Sequence, residues 1–315
     1  MLALQVNKKR LSLRNVPKPT NEAVVRVLLS GICNTDLEIA RGYAGFNGTI
    51  GHEFVGVVEA GHKKLIGKRV VGEINAGCGM CELCRRGDPR HCPTRTVLGI
   101  VGRDGAHAEF LSLPARNLLP VPAKIRDEHA VFIEPLSAAC GIMERAEIKS
   151  KDRVAVIGDG KLGLLCAQVL ALTGASLVLI GKHPEKLRIA EQRGIEIAQA
   201  SAAAKFNRQF DTVVEASGAA PGFQLAMDLL RPKGRLVLKS TFNDKTMIDS
   251  ARVVVDEIAI IGSRCGRFQP AIDLLKKNAI DLDSLISEEF PLSKGVHAMS
   301  RARTRGILKV LLRPN

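Results

Sequence analysis

With 315 residues, 46% of them hydrophobic and 25% charged, the chain can build two domains of ordinary size, which excludes a disordered tail or a small disulfide-held scaffold. Its 46 Lys and Arg against 32 Asp and Glu leave a formal charge of +14, yet the basic residues are scattered and a single Tyr with no Trp gives little to stack on bases. The charge therefore reads as a solvated surface, with no specific nucleic-acid partner.

Lys8, Lys9 and Arg10 are not followed by an apolar block or a small-residue cleavage site, so no secretory signal is expected and a reducing, cytoplasmic compartment is. Leu2 to Val6 and Ala23 to Leu29 alternate apolar and polar side chains around Pro17 and Pro19, the pattern of an antiparallel β region. In Gly31-Ile32-Cys33-Asn34-Thr35-Asp36, the pair Thr35-Asp36 is suited to cap a helix from Leu37 to Arg41. Gly51-His52-Glu53 then interrupts an apolar stretch. A thiolate at Cys33 and an imidazole at His52 suit zinc, which takes sulfur and nitrogen and keeps an open position when catalytic. The two are also compatible with independent core residues.

Phe54 to Glu59 and Lys68 to Ile74 read as strands, after which a compact lobe carries Cys78, Cys81, Cys84 and Cys92. Four thiolates at this spacing can close a tetrahedral shell, which makes the lobe a structural zinc site rather than a disulfide array or a nucleic-acid ribbon. Val97 to Leu113 returns to strand-like alternation, and Glu134-Pro135 follows a helix-prone Asp127 to Phe132.

From Arg153 the pattern changes. Val154 to Ile157 is an apolar strand, followed by Gly158-Asp159-Gly160-Lys161-Leu162-Gly163, a helix from Leu164 to Leu172 and a second apolar strand, Leu177 to Ile180. Gly158 permits a tight turn, Gly160 lets backbone approach a pyrophosphate, and Gly163 lets the helix pack on the sheet, with the helix N-terminus facing the phosphates. Leu162 to Ile180 is apolar enough to suggest a membrane span, but Gln168, Thr173-Gly174 and Ser176 break it, so a buried helix feeding a buried strand is expected and no membrane association. Strand and helix signals then alternate through Thr212 to Glu215, Pro221 to Leu230, Arg235 to Leu238, Ile258 to Ile261 and Pro270 to Lys276, predicting a doubly wound parallel sheet of the α/β class. Gly306 to Leu312 predicts a last strand that rejoins the N-terminal β region.

On Gly31 to Asp36, Gly51-His52-Glu53-Phe54-Val55-Gly56, the cysteine lobe, Glu134-Pro135-Leu136 and the glycine turn, in that order, the chain resembles the zinc-containing medium-chain dehydrogenase/reductase family of alcohol, polyol and threonine dehydrogenases. The resemblance implies a GroES-like catalytic domain from both chain ends (1–137 and 282–315, with the zinc lobe at 78–92), an inserted Rossmann domain (138–281) and an active site in the cleft. It implies two zinc ions per chain: a structural one in the lobe and a catalytic one on Cys33 and His52, with Glu53 and Glu134 as further ligand candidates. It also implies that Asp36 orients the histidine and that Thr35 takes the substrate proton. Relatives often carry a histidine as the exit of the proton relay where this chain has Glu38, so Glu38 or water is expected in that step. His107, where relatives carry an apolar residue, becomes a substrate-contact candidate beside Tyr43 and Phe46, although an exposed or internally satisfied histidine is the preferred reading.

The second Rossmann strand ends Ile180-Gly181-Lys182-His183 with no acid to hold a ribose hydroxyl, while Lys182 and His183 can pair with a 2′-phosphate, so NADP is expected over NAD. The implied reaction interconverts an alcohol or polyol and its carbonyl, in a homodimer or homotetramer joined through the edge strand Ile258 to Gly262. The competing readings are a zinc-independent alkene or quinone reductase on the same scaffold, and a non-enzymatic dinucleotide sensor or nucleic-acid-associated protein.

Overall fold

The computed structural model describes residues 1–241 and 246–314, which form two compact units: residues 1–134 with the end of the chain from 271 on, and residues 135–270. The crossings thus fall after 134 and 270 rather than after 137 and 281. The second lies inside the helix Phe268–Lys276, where packing rather than a loop-like composition sets the division.

In the first unit the strand Ala23–Gly31 is the hub. It pairs antiparallel with Glu53–Ala60, with Phe110–Leu113 and with the last strand, Lys309–Arg313. The sheet continues outward through Arg69–Gly72 and Leu118–Pro120 on one side and Ile286–Pro291 on the other. The C-terminal strand therefore does rejoin the N-terminal β region, with Leu311 opposite Gly31 and Leu312 opposite Ser30. These strands and the segments packed on them bury Val25, Phe54, Val70, Leu98 and Leu113 in one cluster and Leu4, Ile32, Ile39, Ile50, Val310 and Leu312 in another. Gly31 stands where the second cluster meets the polar site: a Cβ there would lie 2.5 Å from Glu53 Oε2 and 2.7 Å from Val131 Cγ1.

The helix near Cys33 runs Asn34–Ala40, starting three residues earlier than expected, because Cys33 is its N-cap and Asp36, at the third helical position, reaches back to the Cys33 N–H in a capping box.

The second unit is built on six parallel strands in the order Glu196–Gln199, Ser176–Gly181, Arg153–Ile157, Phe210–Glu215, Leu230–Leu238, Ala259–Gly262. Strand order reverses between Arg153–Ile157 and Phe210–Glu215, and a parallel sheet opens its ligand crevice at the carboxyl ends of such strands. The apolar run from Leu162 to Ile180 is the helix Lys161–Ala171 and the strand Ser176–Gly181, with Gln168 buried. No helix of the described residues is long and apolar enough to cross a membrane.

The glycine turn sits at the reversal point. Gly158 has φ +117°, which only glycine adopts without strain, and a Cβ at Gly163 would overlap the Gly158 carbonyl oxygen. A Cβ at Gly160 would meet nothing within 4 Å. Gly163→Ala is therefore expected to destabilise the fold by about 1–3 kcal/mol through overpacking, whereas Gly160→Ala costs far less. Urea denaturation of the two variants tests this, and equal midpoints would show that the helix shifts freely to admit a methyl group.

Candidate functional site

The first unit gathers Cys33, His52 and Glu53 so that one ligand atom from each lies within 4.8 Å of the others. The capping box fixes Cys33 at the start of its helix, and His52 and Glu53 come from the entry to the strand Glu53–Ala60. The backbone around His52 is clamped: Gly105, Ala106 and His107 donate to the carbonyls of Thr49 (2.7 Å), Gly51 (2.8 Å) and Ile50 (2.9 Å), and Leu4 receives the Ile50 N–H.

Asp36 ties the thiol to the imidazole. Its carboxylate is fully buried, accepts the Cys33 N–H at 2.8 Å and the Gly51 N–H at 3.1 Å, and lies 3.3 Å from His52 Nδ1. Burial alone would raise its pKa, but His52 and His107 beside it outweigh that and hold the carboxyl far below the ordinary range. His52 is likewise opposed by burial, yet Asp36 and Cys33 raise it well above its usual value. With Nδ1 turned toward Asp36, the other ring nitrogen is the one left for an ion, the tautomeric arrangement of a ligating histidine. The donor set of a thiolate, an imidazole and a carboxylate fits zinc.

Glu53 has a second partner that the sequence reading missed. Lys309, itself 1% exposed, pairs with Glu53 Oε2, donates to the Ile32 carbonyl at 3.4 Å and lies 5.4 Å above the Phe132 ring. One carboxylate oxygen of Glu53 is thus engaged by an ammonium rather than held open. The available signal was a lone lysine inside the apolar run Gly306 to Leu312. Glu134, in the helix Ile133–Cys140, is outside the three-residue group but close enough for its charge to interact with His52 and Glu53. Desolvation first, and then the charges of Glu53 and Glu73, push its carboxyl up to about 7 against the opposing pull of His52 and Lys309.

Thr35 Oγ1 lies 3.7 Å from Cys33 Sγ, so the hydroxyl stands beside the ligand group. Glu38 is paired with Arg41 at 2.7 Å on the outer face of the same helix. Of the two readings of His107, the structure shows the satisfied histidine: it is fully buried, with Nδ1 2.9 Å from Ser30 Oγ and Nε2 3.5 Å from Asp36 Oδ2. It lies behind the carboxylate because Gly51 packs directly on its ring, where a Cβ would come within 2.6 Å of Nδ1.

In the lobe, Cys78, Cys81, Cys84 and Cys92 bring four sulfurs within 4.8 Å of one another, compatible with the spacing of about 3.8 Å that a tetrahedral zinc shell imposes. The Cys78 N–H donates to Cys92 Sγ at 3.3 Å, and the N–H groups of Met80 and Cys81 donate to Cys78 Sγ. The Cys78 N–H and the Thr94 hydroxyl pull Cys92 down to about 6, while desolvation and the neighbouring thiols push Cys84 up to about 11. Thiols that share one site cannot all ionise unless a cation neutralises them.

In the second unit, Gly158, Gly160, Lys161, Leu162 and Gly163 lead into a helix whose first turn has no side-chain cap, leaving that end suited to a phosphate. Gly181 ends the neighbouring strand, and Lys182 is exposed. His183 differs from expectation, because its Nδ1 lies 3.0 Å from Asp159 Oδ1, an acid inside the glycine turn. One edge of the ring is thereby committed to protein.

Comparison with known proteins agrees with this geometry. Residues 19–123 match the alcohol dehydrogenase GroES-like domain and residues 162–277 the zinc-binding dehydrogenase domain. An erythritol/L-threitol dehydrogenase of Mycolicibacterium smegmatis is 31% identical, over 87% of this chain and 85% of its own. A short chain alcohol dehydrogenase from E. coli CFT073, solved with NADH, superposes with a TM-score of 0.91 at 29% identity over 99% of both chains. A candidate zinc-binding dehydrogenase from Sinorhizobium meliloti 1021, solved with NADP, gives 0.90 at 28% over 99% of both.

Because Asp36 is the shared partner of Cys33, Gly51 and His52, Asp36→Asn, which keeps an acceptor for the cap, is expected to weaken zinc at Cys33 and His52 by about 10–100-fold and leave the lobe's metal in place. Competition with a chromophoric chelator measures both. Unchanged affinity at the first site would mean that the carboxylate only caps the helix.

Proposed function

The chain belongs to the zinc-type medium-chain alcohol and polyol dehydrogenase family, with a GroES-like domain and a Rossmann parallel sheet, and we propose on that basis how its own residues divide the work. It is an oxidoreductase that acts on alcohols with zinc and a nicotinamide cofactor. Residues 1–134 and those from 271 on serve as the catalytic domain, and 135–270 as the dinucleotide domain.

The observation that carries the assignment is the convergence of Cys33, His52 and Glu53 around one point, with Asp36 behind the imidazole. Cys33 and His52 hold a catalytic zinc, and Glu53 or Glu134 completes the set. When bound, the zinc supplies a Lewis acid for the substrate oxygen and the nicotinamide a two-electron hydride carrier. Thr35 accepts the hydroxyl proton of the alcohol in the oxidative direction and passes it outward to Glu38 or water; in the reductive direction it returns the proton. Asp36 keeps His52 in the ligating tautomer, and the clamped backbone of residues 49–52 fixes its position. Cys78, Cys81, Cys84 and Cys92 hold a second, structural zinc.

The glycine turn holds the pyrophosphate, with the N–H groups at the start of the helix Lys161–Ala171 as donors. NADP is favoured over NAD: residue 181 has no acidic side chain, Lys182 is exposed, and the nitrogen of His183 remote from Asp159 faces away from that acid. The substrate is a small alcohol or polyol. The strand Ala259–Gly262 is the outermost of its sheet among the described residues, and Val254 and Val255, 74% and 80% exposed, lie just before it. This supports a homodimer or homotetramer formed through that edge.

Metal analysis separates this reading from a zinc-independent reductase. Two zinc ions per chain are expected, falling to one in Cys33→Ser with loss of alcohol oxidation; one ion in the unaltered chain, held by the lobe, would overturn the catalytic assignment. Ile261→Lys, a charge placed on the edge strand, is expected to shift sedimentation toward the monomer. A concentration-independent monomer before the change would rule out assembly through that edge.

A further inference from the structure

The glycine turn contains a charged group that the phosphate site does not require. Asp159 is 7% exposed and reaches across to the end of the strand Ser176–Gly181. There its Oδ2 accepts the N–H groups of Lys182 at 2.7 Å and His183 at 2.6 Å, and the His183 ring closes on its other oxygen at 3.0 Å. Burial opposes ionisation, but the His183 ring and the two backbone N–H groups outweigh it and hold the Asp159 carboxyl below its ordinary value.

Its place matters more than its charge alone. A Cβ built on Gly181 would lie 2.5 Å from Asp159 Oδ2, 2.6 Å from its Cβ and 2.7 Å from its Cγ. The Asp159 side chain therefore fills the volume into which a residue-181 side chain would project. In dinucleotide folds the side chain at this strand end is the one that meets the adenosine ribose, and a carboxylate there takes the 2′-hydroxyl and repels a 2′-phosphate. The acid missing from residue 181 in the sequence is thus present in space, contributed by the neighbouring turn and covered by an imidazole.

We infer that the Asp159–His183 pair is the specificity-determining element for the 2′ position of the adenosine ribose. The inference rests on the dinucleotide reading above. With the imidazole against it, the carboxylate is masked, and Lys182 leaves the local balance favourable to a phosphate. With His183 removed, the same carboxylate stands uncovered where it selects for a hydroxyl.

Isothermal titration of the full chain with 5′-AMP and with 2′,5′-ADP, which differ only in the 2′-phosphate, isolates this subsite from catalysis. His183→Ala is expected to weaken 2′,5′-ADP by about tenfold, the scale of one unit charge acting on another a few ångströms away at a partly exposed site, with 5′-AMP unchanged. Adding Asp159→Asn to His183→Ala recovers the lost affinity, and Asp159→Asn alone tightens 2′,5′-ADP relative to 5′-AMP. Parallel changes for both ligands, or none for either, overturn the inference and leave Asp159 as a prop for the turn. If the unaltered chain prefers 5′-AMP but Asp159→Asn reverses the order, NADP preference fails while the inference stands. If it binds neither ligand, the dinucleotide reading fails and the inference with it.

Discussion

The buried carboxylate of Asp36 is the constraint on which the first unit depends. A fully desolvated anion is costly unless its lone pairs are occupied. Asp36 meets that requirement by joining segments that are distant in sequence: its own helix through the Cys33 N–H, the approach to Glu53–Ala60 through the Gly51 N–H, and the imidazoles of His52 and His107. Each partner that stabilises the charge is also one that fixes a ligand or the backbone beside it. The burial of Asp36 and the aim of Cys33 and His52 are therefore one solution to one electrostatic problem.

A second buried charge joins the chain ends. Lys309 reaches Glu53 from the last strand, and Gly31, lacking a side chain, leaves the space that the pair occupies. Removing either partner would leave the other uncompensated, so the pair commits the C-terminal strand to its place next to Ala23–Gly31. It also means that Glu53 is not a simple ligand: whatever it offers to an ion is weighed against an ammonium already at hydrogen-bonding distance. Glu134, whose carboxyl is pushed up by desolvation and neighbouring carboxylates against the pull of His52 and Lys309, is the complementary case of an acid whose charge depends on what cation stands nearby.

Much of this was legible in the sequence, for identifiable reasons. The cysteine lobe is local, so spacing alone brings its sulfurs together. The glycine turn is local too, and two of its three glycines answer to a steric requirement seen in the fold, a positive φ at Gly158 and a close carbonyl at Gly163, while Gly160 faces open space. His52 was legible with Cys33 from residue type, as a pair suited to zinc, and the role of Asp36 through a family resemblance. What could not be read were contacts set by tertiary packing: Lys309 with Glu53, His107 behind Asp36, and Asp159 under Gly181. In each case the sequence showed the residue but not the direction of its side chain. For His107 the consequence was two open readings, since a histidine amid apolar neighbours looks the same whether it faces a cavity or a buried anion. For residue 181 it was an incomplete premise, because an acid absent from one strand end can arrive from the adjoining turn.

The two thiol-bearing sites illustrate different ways of positioning a ligand. Around His52, three successive N–H groups from Gly105 to His107 hold the carbonyls of Thr49 to Gly51, and Gly99 and Gly105 both crowd the Gly51 carbonyl, where no side chain would fit. Backbone packed this closely is rigid before any ion arrives, so the fold itself maintains the geometry. The lobe is held by short-range turns instead, such as the Arg85 N–H to the Cys81 carbonyl and the Cys92 N–H to the Pro89 carbonyl. Met80 is 71% exposed, the helix Glu82–Arg85 is a single turn, and among the four cysteines only Cys92 is buried. The lobe thus buries little apolar surface, whereas the site at Cys33 and His52 inherits its shape from the sheet beneath it.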